Sequence, residues 1–120
     1  MLLLYSDPDV PFPEDGMARH FALADRVRGA GAYVTSEALG PATVAKTVRN
    51  AQGGIVTDGP FAETKETLGG FYMLDCKDID EALEYAKQIP SPHVEVRPVA
   101  FVPDWQYDVA PKGGRIPMTW

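Results

Sequence analysis

The order of the short apolar segments along the chain constrains the fold more than any other feature. Two stretches carry apolar residues at helical spacing, one starting at Glu14 and one at Ile79. The second is the clearer helix, because Asp78 followed by Glu81 is a capping-box pattern. Four other segments are apolar or alternate as strands do, namely residues 2–5, 32–38, 69–76 and 93–97. The predicted order places one helix after the first strand and the other before the last.

A hairpin is predicted between the second and third of these strands. Residues 43–49 alternate and are rich in β-branched side chains, and a Gly-Gly turn leads into residues 55–57. The chain has 120 residues, which is the length of one compact domain. Two helices on such a sheet make an α+β two-layer sandwich, most simply a ferredoxin-like βαββαβ fold with an inserted hairpin.

The number of helices also predicts an assembly. Two helices cover only one face of a sheet, yet Phe71 and Met73 alternate with Tyr72 and Leu74, so both faces carry apolar side chains. An apolar face left in water is typical of an interface. We therefore expect a homodimer in which two sheets pack face to face and enclose a cleft between the subunits.

We expect the domain to occupy residues 1–99, with residues 100–120 as a C-terminal extension. Three of the four large aromatic residues of this end, Phe101, Trp105 and Tyr107, lie close together, and Trp120 ends the chain. Because so much aromatic surface is costly to leave in water, the extension is predicted to dock on the domain or on the partner subunit.

Charge and composition restrict the partners. The chain has 17 acidic and 11 basic residues and a net charge of −6, which disfavours nucleic acid and anionic membranes as partners. Its single cysteine, Cys76, permits no internal disulfide and fits a reducing compartment. The N-terminal apolar run is too short for a signal peptide or a membrane span. These features predict a cytoplasmic protein.

Two residues are candidates for catalysis. His20 lies at helical spacing with Met17 and Ala24, so its imidazole is expected to point toward the sheet, where it could act as a general acid or base. The alternative is a packed histidine that donates to a backbone carbonyl. Asp58 precedes Gly59 and Pro60, and it either caps its own turn or orients His20 or a substrate proton.

Three further residues are candidates for ligand binding. Lys65 stands in a charged loop with Glu63 and Glu66, and it could hold an anionic or phenolic ligand if this loop borders the cleft. Glu95 and Arg97 share one strand face, opposite Val94 and Val96. They either face the cleft or form a structural ion pair.

No metal or cofactor site is expected from the spacing of residues. His20, His93 and Cys76 lack the short-range spacing of metal ligands. The Gly-Gly pairs at 53–54 and 69–70 match neither phosphate-binding loops nor dinucleotide-binding motifs.

One block of sequence resembles a known family. Residues 56–66, VTDGPFAETKE, followed by Leu68-Gly69-Gly70-Phe71, resemble the DGPF branch of the YCII-related family, and the likeness extends over about residues 1–99. The resemblance implies a ferredoxin-like fold that assembles as a dimeric α+β barrel. Other members of the family carry a histidine on the first helix, suggested to work with an aspartate as an acid/base dyad, including one similar to a chlorinated-aromatic dehydrochlorinase. His20 resembles that histidine in its distance from Gly31.

Two functions follow as hypotheses. The first is a small dimeric protein that binds a small molecule in its cleft, with acid/base catalysis by His20. The second is a non-catalytic accessory or regulatory protein, because members of this branch look like companions of extracytoplasmic-function sigma factors. Whether the protein is an enzyme is left open by the sequence.

Overall fold

The computed structural model describes residues 1–62 and 64–100 and has the predicted α+β architecture. In chain order the elements are β1 (Leu2–Ser6), α1 (Gly16–Gly29), β2 (Tyr33–Ala38), β3 (Lys46–Arg49), β4 (Ile55–Asp58), β5 (Thr67–Leu74), α2 (Ile79–Ala86) and β6 (His93–Val96). Four strands form an antiparallel sheet in the order β2-β5-β1-β6, and β3 pairs with β4 as a separate hairpin. This is the ferredoxin-like order with an inserted hairpin, as predicted.

The core lies between the two helices and one face of the sheet. Leu2 of the central strand β1 faces Tyr72 on one side and Val96 on the other, so alternation sends these three side chains to the same face. Leu23 and Val27 of α1 pack in the same buried cluster. Burying an aliphatic side chain of this size stabilises the fold by about 1.5–3 kcal/mol, so this layer holds α1 against the sheet.

Both helices follow from local signals. The Asp78 carboxylate accepts the backbone N–H of Glu81 at 2.9 Å, which confirms the predicted cap of α2. Helix α1 begins at Gly16, two residues later than the expected start at Glu14. It ends before Gly31, whose positive φ of 72° turns the chain into β2.

Two strands differ from their predicted bounds. Strand β5 begins at Thr67, two residues before the predicted start at residue 69, because Thr67 pairs with Ser6 of β1 and the two hydroxyls lie 3.0 Å apart. Strand β3 begins at Lys46, later than expected, because residues 42–44 form a short 3-10 turn after Pro41. In both cases the strand bounds are set by contacts and turns that alternation alone does not reveal.

Some predictions lie outside the described residues. The docking of residues 101–120 and the position of Glu63 belong to this group. Within the described ranges, neither helix combines the length and the apolar character needed to cross a membrane.

Candidate functional site

A cavity of about 820 Å³ lies between α1, the proline-rich loop before it, and the helix-facing side of the sheet. We call it the α1 cavity, and its walls include Phe12, Met17, His20, Phe21, Ser36 and Tyr72. His20 was predicted to point toward the sheet, and it lines this cavity from α1.

The imidazole of His20 is held against the sheet by a tyrosine. Its Nδ1 lies 2.6 Å from the hydroxyl oxygen of Tyr72, a buried residue of β5. This contact confirms that His20 points toward the sheet. Nδ1 is thereby engaged, and Nε2 is the second nitrogen at which the ring can accept or donate a proton.

Two aromatic rings lie nearly parallel to that imidazole. The ring of Tyr72 is 5.9 Å away between centroids with an interplanar angle of 14°, and the ring of Phe12 is 6.2 Å away at 10°. Phe12 stands between two prolines, Pro11 and Pro13, which restrict the backbone of its loop. The three nearly parallel rings keep the imidazole in one orientation at the edge of the cavity.

The electrostatics of the pair favour two neutral groups. Burial lowers the pKa of His20 from its ordinary value of 6.5, and the nearby charge of Arg19 lowers it further. Burial raises the pKa of Tyr72 above its ordinary value of 10, with a smaller contribution from Tyr33. At neutral pH the site therefore presents an uncharged imidazole hydrogen-bonded to an uncharged phenol.

Asp58 lies away from this pair. It ends β4 on the separate hairpin, where it is directly opposite Lys46 and forms an ion pair with its ammonium group. The Asp58 side chain is 85% exposed and is not among the residues that line the α1 cavity. The group that contacts His20 is the Tyr72 hydroxyl.

The three predicted ligand-binding residues are engaged in ion pairs. Lys65 contacts the carboxylates of Asp7, at 3.6 Å, and Asp9. Arg97 pairs with Glu95 on the face of β6 opposite Val94 and Val96, whose side chains pack against the core. None of the three predicted residues belongs to the walls of the α1 cavity.

Sequence reasoning missed two contributors to the site. Tyr72 was predicted only as part of a strand. A buried tyrosine hydroxyl needs a hydrogen-bond partner, so a tyrosine in a buried strand indicates a polar neighbour. Glu37 of β2 also lines the cavity, at its exposed edge. The position of Glu37 in the alternating pattern of β2 does not place it near His20. The pairing of β2 with β5 joins residues that are far apart in the sequence.

The fold and the cavity define a small ferredoxin-like protein with a partly buried histidine between its first helix and its sheet. The chain belongs to the YCII-related family, whose domain matches residues 1–105. It is also similar to an uncharacterized protein of Rhizobium meliloti (strain 1021), at 46% identity over 80 residues. The match covers 57% of this chain and 64% of that protein, so it spans less than two thirds of the relative's length.

Proposed function

We propose that the protein binds a small organic molecule in the α1 cavity and that His20 acts there as a general acid/base. The observation that carries this proposal is the 2.6 Å contact between His20 Nδ1 and the Tyr72 hydroxyl inside a cavity of about 820 Å³. Ligand pockets have about this size, with apolar walls and a few convergent polar groups. His20 and Tyr72 are two of the polar groups in these walls, which also include Ser36 and Glu37.

The chemistry follows from the charge state of the pair. A neutral imidazole takes a proton from an acidic O–H or C–H of the bound molecule and becomes imidazolium, while the molecule becomes its conjugate base. The same imidazolium later returns the proton. Tyr72 acts as a positioning residue because it holds Nδ1, while Met17 and Phe21 supply apolar surface for the body of the ligand.

Binding to the cavity is tested with N-phenyl-1-naphthylamine, a neutral apolar dye whose fluorescence rises when it leaves water. Ala24 lines the cavity from α1, whereas Ala22 on the same helix is exposed and does not. We expect the native chain and Ala22→Trp to bind the dye saturably. Ala24→Trp should lose this binding. Equal binding by the two tryptophan variants would contradict the location of the site.

The acid/base role is tested by titrating His20 with NMR. We expect a pKa below 6.5 that changes when an acidic ligand enters the cavity. His20→Gln, which lacks this imidazole signal, assigns the resonance to His20. Tyr72→Phe is the matched variant, because it keeps the ring and removes only the hydroxyl. A His20 that titrates as a free imidazole would exclude the proposed role.

The predicted homodimer, in which two sheets pack face to face, is part of the proposal, and the hairpin adds exposed apolar surface to it. Val48 and Val56 lie directly opposite each other on the hairpin, and both are more than half exposed. A two-stranded hairpin is only marginally stable in water, and exposed apolar surface of this kind is typical of an interface. Light scattering at micromolar concentration should give about twice the chain mass of 13.1 kDa; the mass of one chain would refute the dimer.

An accessory role beside a sigma factor is the alternative function. It needs no ligand in the α1 cavity and no proton transfer by His20. A pull-down that recovers a sigma factor together with a cavity that fails to bind the dye would favour this alternative.

A further inference from the structure

We propose that Asp7, Glu66 and His93 form a binding site for a divalent transition-metal ion of the zinc type. One ligand atom from each of these side chains lies within 4.8 Å of the other two. The site is separate from the α1 cavity, whose walls include none of the three residues. The proposal is therefore independent of the proposed function.

The topology brings these distant residues together. Tyr5 near the end of β1 pairs with Leu68 of β5 on one side and with His93 of β6 on the other. Asp7 follows the end of β1, and Glu66 directly precedes β5. Since β1 runs antiparallel to both neighbours, its end meets the start of β5 and the start of β6 at one edge of the sheet.

The carboxylate of Asp7 is oriented with one oxygen toward the imidazole. Its side chain is only 11% exposed, and Oδ1 accepts the backbone N–H of Asp9 at 2.9 Å. Lys65 lies 3.6 Å from the same Oδ1. The other oxygen, Oδ2, lies 3.8 Å from Nε2 of His93, which is too long for a hydrogen bond.

That gap has a size that a metal ion can bridge. Two ligands of a tetrahedral zinc ion, each at a normal bond length, lie about 3.4 Å apart. Asp7 Oδ2 and His93 Nε2 thus need to approach by only a few tenths of an ångström. Imidazole and carboxylate ligands suit Zn²⁺, and three protein ligands leave a fourth position for water.

The local charge also favours a cation. Asp7, Asp9 and Glu66 bring three carboxylates to this edge of the sheet, and Lys65 supplies one ammonium group. Lys65 and the Asp9 amide bind the outer oxygen of Asp7, as the outer partners of metal-binding carboxylates do.

The test uses the full chain without a purification tag, because its only two histidines are His20 and His93. Zn²⁺ is titrated near neutral pH while the imidazole signals of both residues are followed by NMR. We expect a saturable change at His93 with one ion per chain and none at His20. Glu66→Gln should weaken Zn²⁺ binding at least about tenfold. Glu84 is an exposed glutamate paired with Lys87, and Glu84→Gln should leave the binding unchanged.

Three results would overturn the proposal. The first is no saturation at Zn²⁺ concentrations below about 1 mM. The second is an equal response of the two histidines. The third is the same affinity in Glu66→Gln and Glu84→Gln. If Glu66→Gln does not fold, as judged by circular dichroism, the selectivity for His93 in the native chain decides the question alone.

Discussion

A methyl group added at Gly16 should change the protonation of His20 without unfolding the protein. An ideal Cβ at Gly16 would lie 2.3 to 2.8 Å from three ring atoms of Phe12. The same ring stacks on the imidazole of His20. Gly16→Ala therefore displaces the aromatic ring that covers the histidine.

The size of the effect follows from these distances. Carbon atoms in contact lie about 3.5–4.0 Å apart, so the Phe12 ring must move outward by roughly 1–1.5 Å. It is free to do so because Phe12 is 57% exposed. Losing the stacking of Phe12 on His20 destabilises the fold by about 0.5–1.5 kcal/mol. Alanine in place of glycine at the start of α1 stabilises the helix by up to about 1 kcal/mol. The free energy of unfolding should change by less than about 1 kcal/mol.

The protonation of His20 should respond more clearly. Burial is the main cause that lowers its pKa, so moving Phe12 away should raise that pKa toward 6.5. NMR titration of Gly16→Ala, Phe12→Ala and the double variant measures this. Gly29→Ala is the control, because a Cβ there would meet no atom within 4 Å apart from its chain neighbours and the backbone of its own helix. The double variant should match Phe12→Ala alone. An unchanged pKa in Gly16→Ala would refute the reasoning.

Three other predictions concern stability. Leu23→Ala should lower the free energy of unfolding by about 2–5 kcal/mol in urea titrations, because Leu23 is 1% exposed and leaves a cavity in the core. Gly59→Ala should cost about 1–3 kcal/mol, because Gly59 has a φ of +95° that alanine adopts only with strain; an unchanged midpoint would contradict this. Stability should fall as the pH drops below 6.5 toward the lowered pKa of His20, since only the unfolded chain takes up the proton there. His20→Gln should flatten that part of the profile.

The sequence predicts the fold correctly wherever the pattern involves residues that are close together in the chain. The spacing of apolar residues in α2 and the cap at Asp78 involve neighbours in the chain, and the structure has both as predicted. The start of β5 was not accessible in this way. Thr67 reads as part of a polar loop, and it joins the sheet only because Ser6, 61 residues away, pairs with it.

The candidate site shows the same division. The inward direction of His20 followed from its place among apolar residues of α1, and the structure confirms it. Its partner did not follow, because Tyr72 is 52 residues away and meets His20 only through the packing of α1 on β5. Asp58 was predicted either to cap its own turn or to orient His20, and it lies on β4, which hydrogen-bonds to β3 rather than to the main sheet. No local pattern distinguishes those two arrangements.

A tyrosine in place of a carboxylate beside His20 changes what the pair can do. A carboxylate would attract the imidazolium and raise the pKa of the histidine, whereas the Tyr72 hydroxyl carries no charge to do so. The pKa of His20 is instead lowered and that of Tyr72 raised, so both groups stay neutral over a wide range around pH 7. His20 then accepts a proton from a bound molecule only while the pH is above its own pKa. A ligand that donates a hydrogen bond to His20 should bind more tightly as the pH rises through that value, and Tyr72→Phe should keep this direction; tighter binding at acidic pH would show that the imidazolium is the binding form.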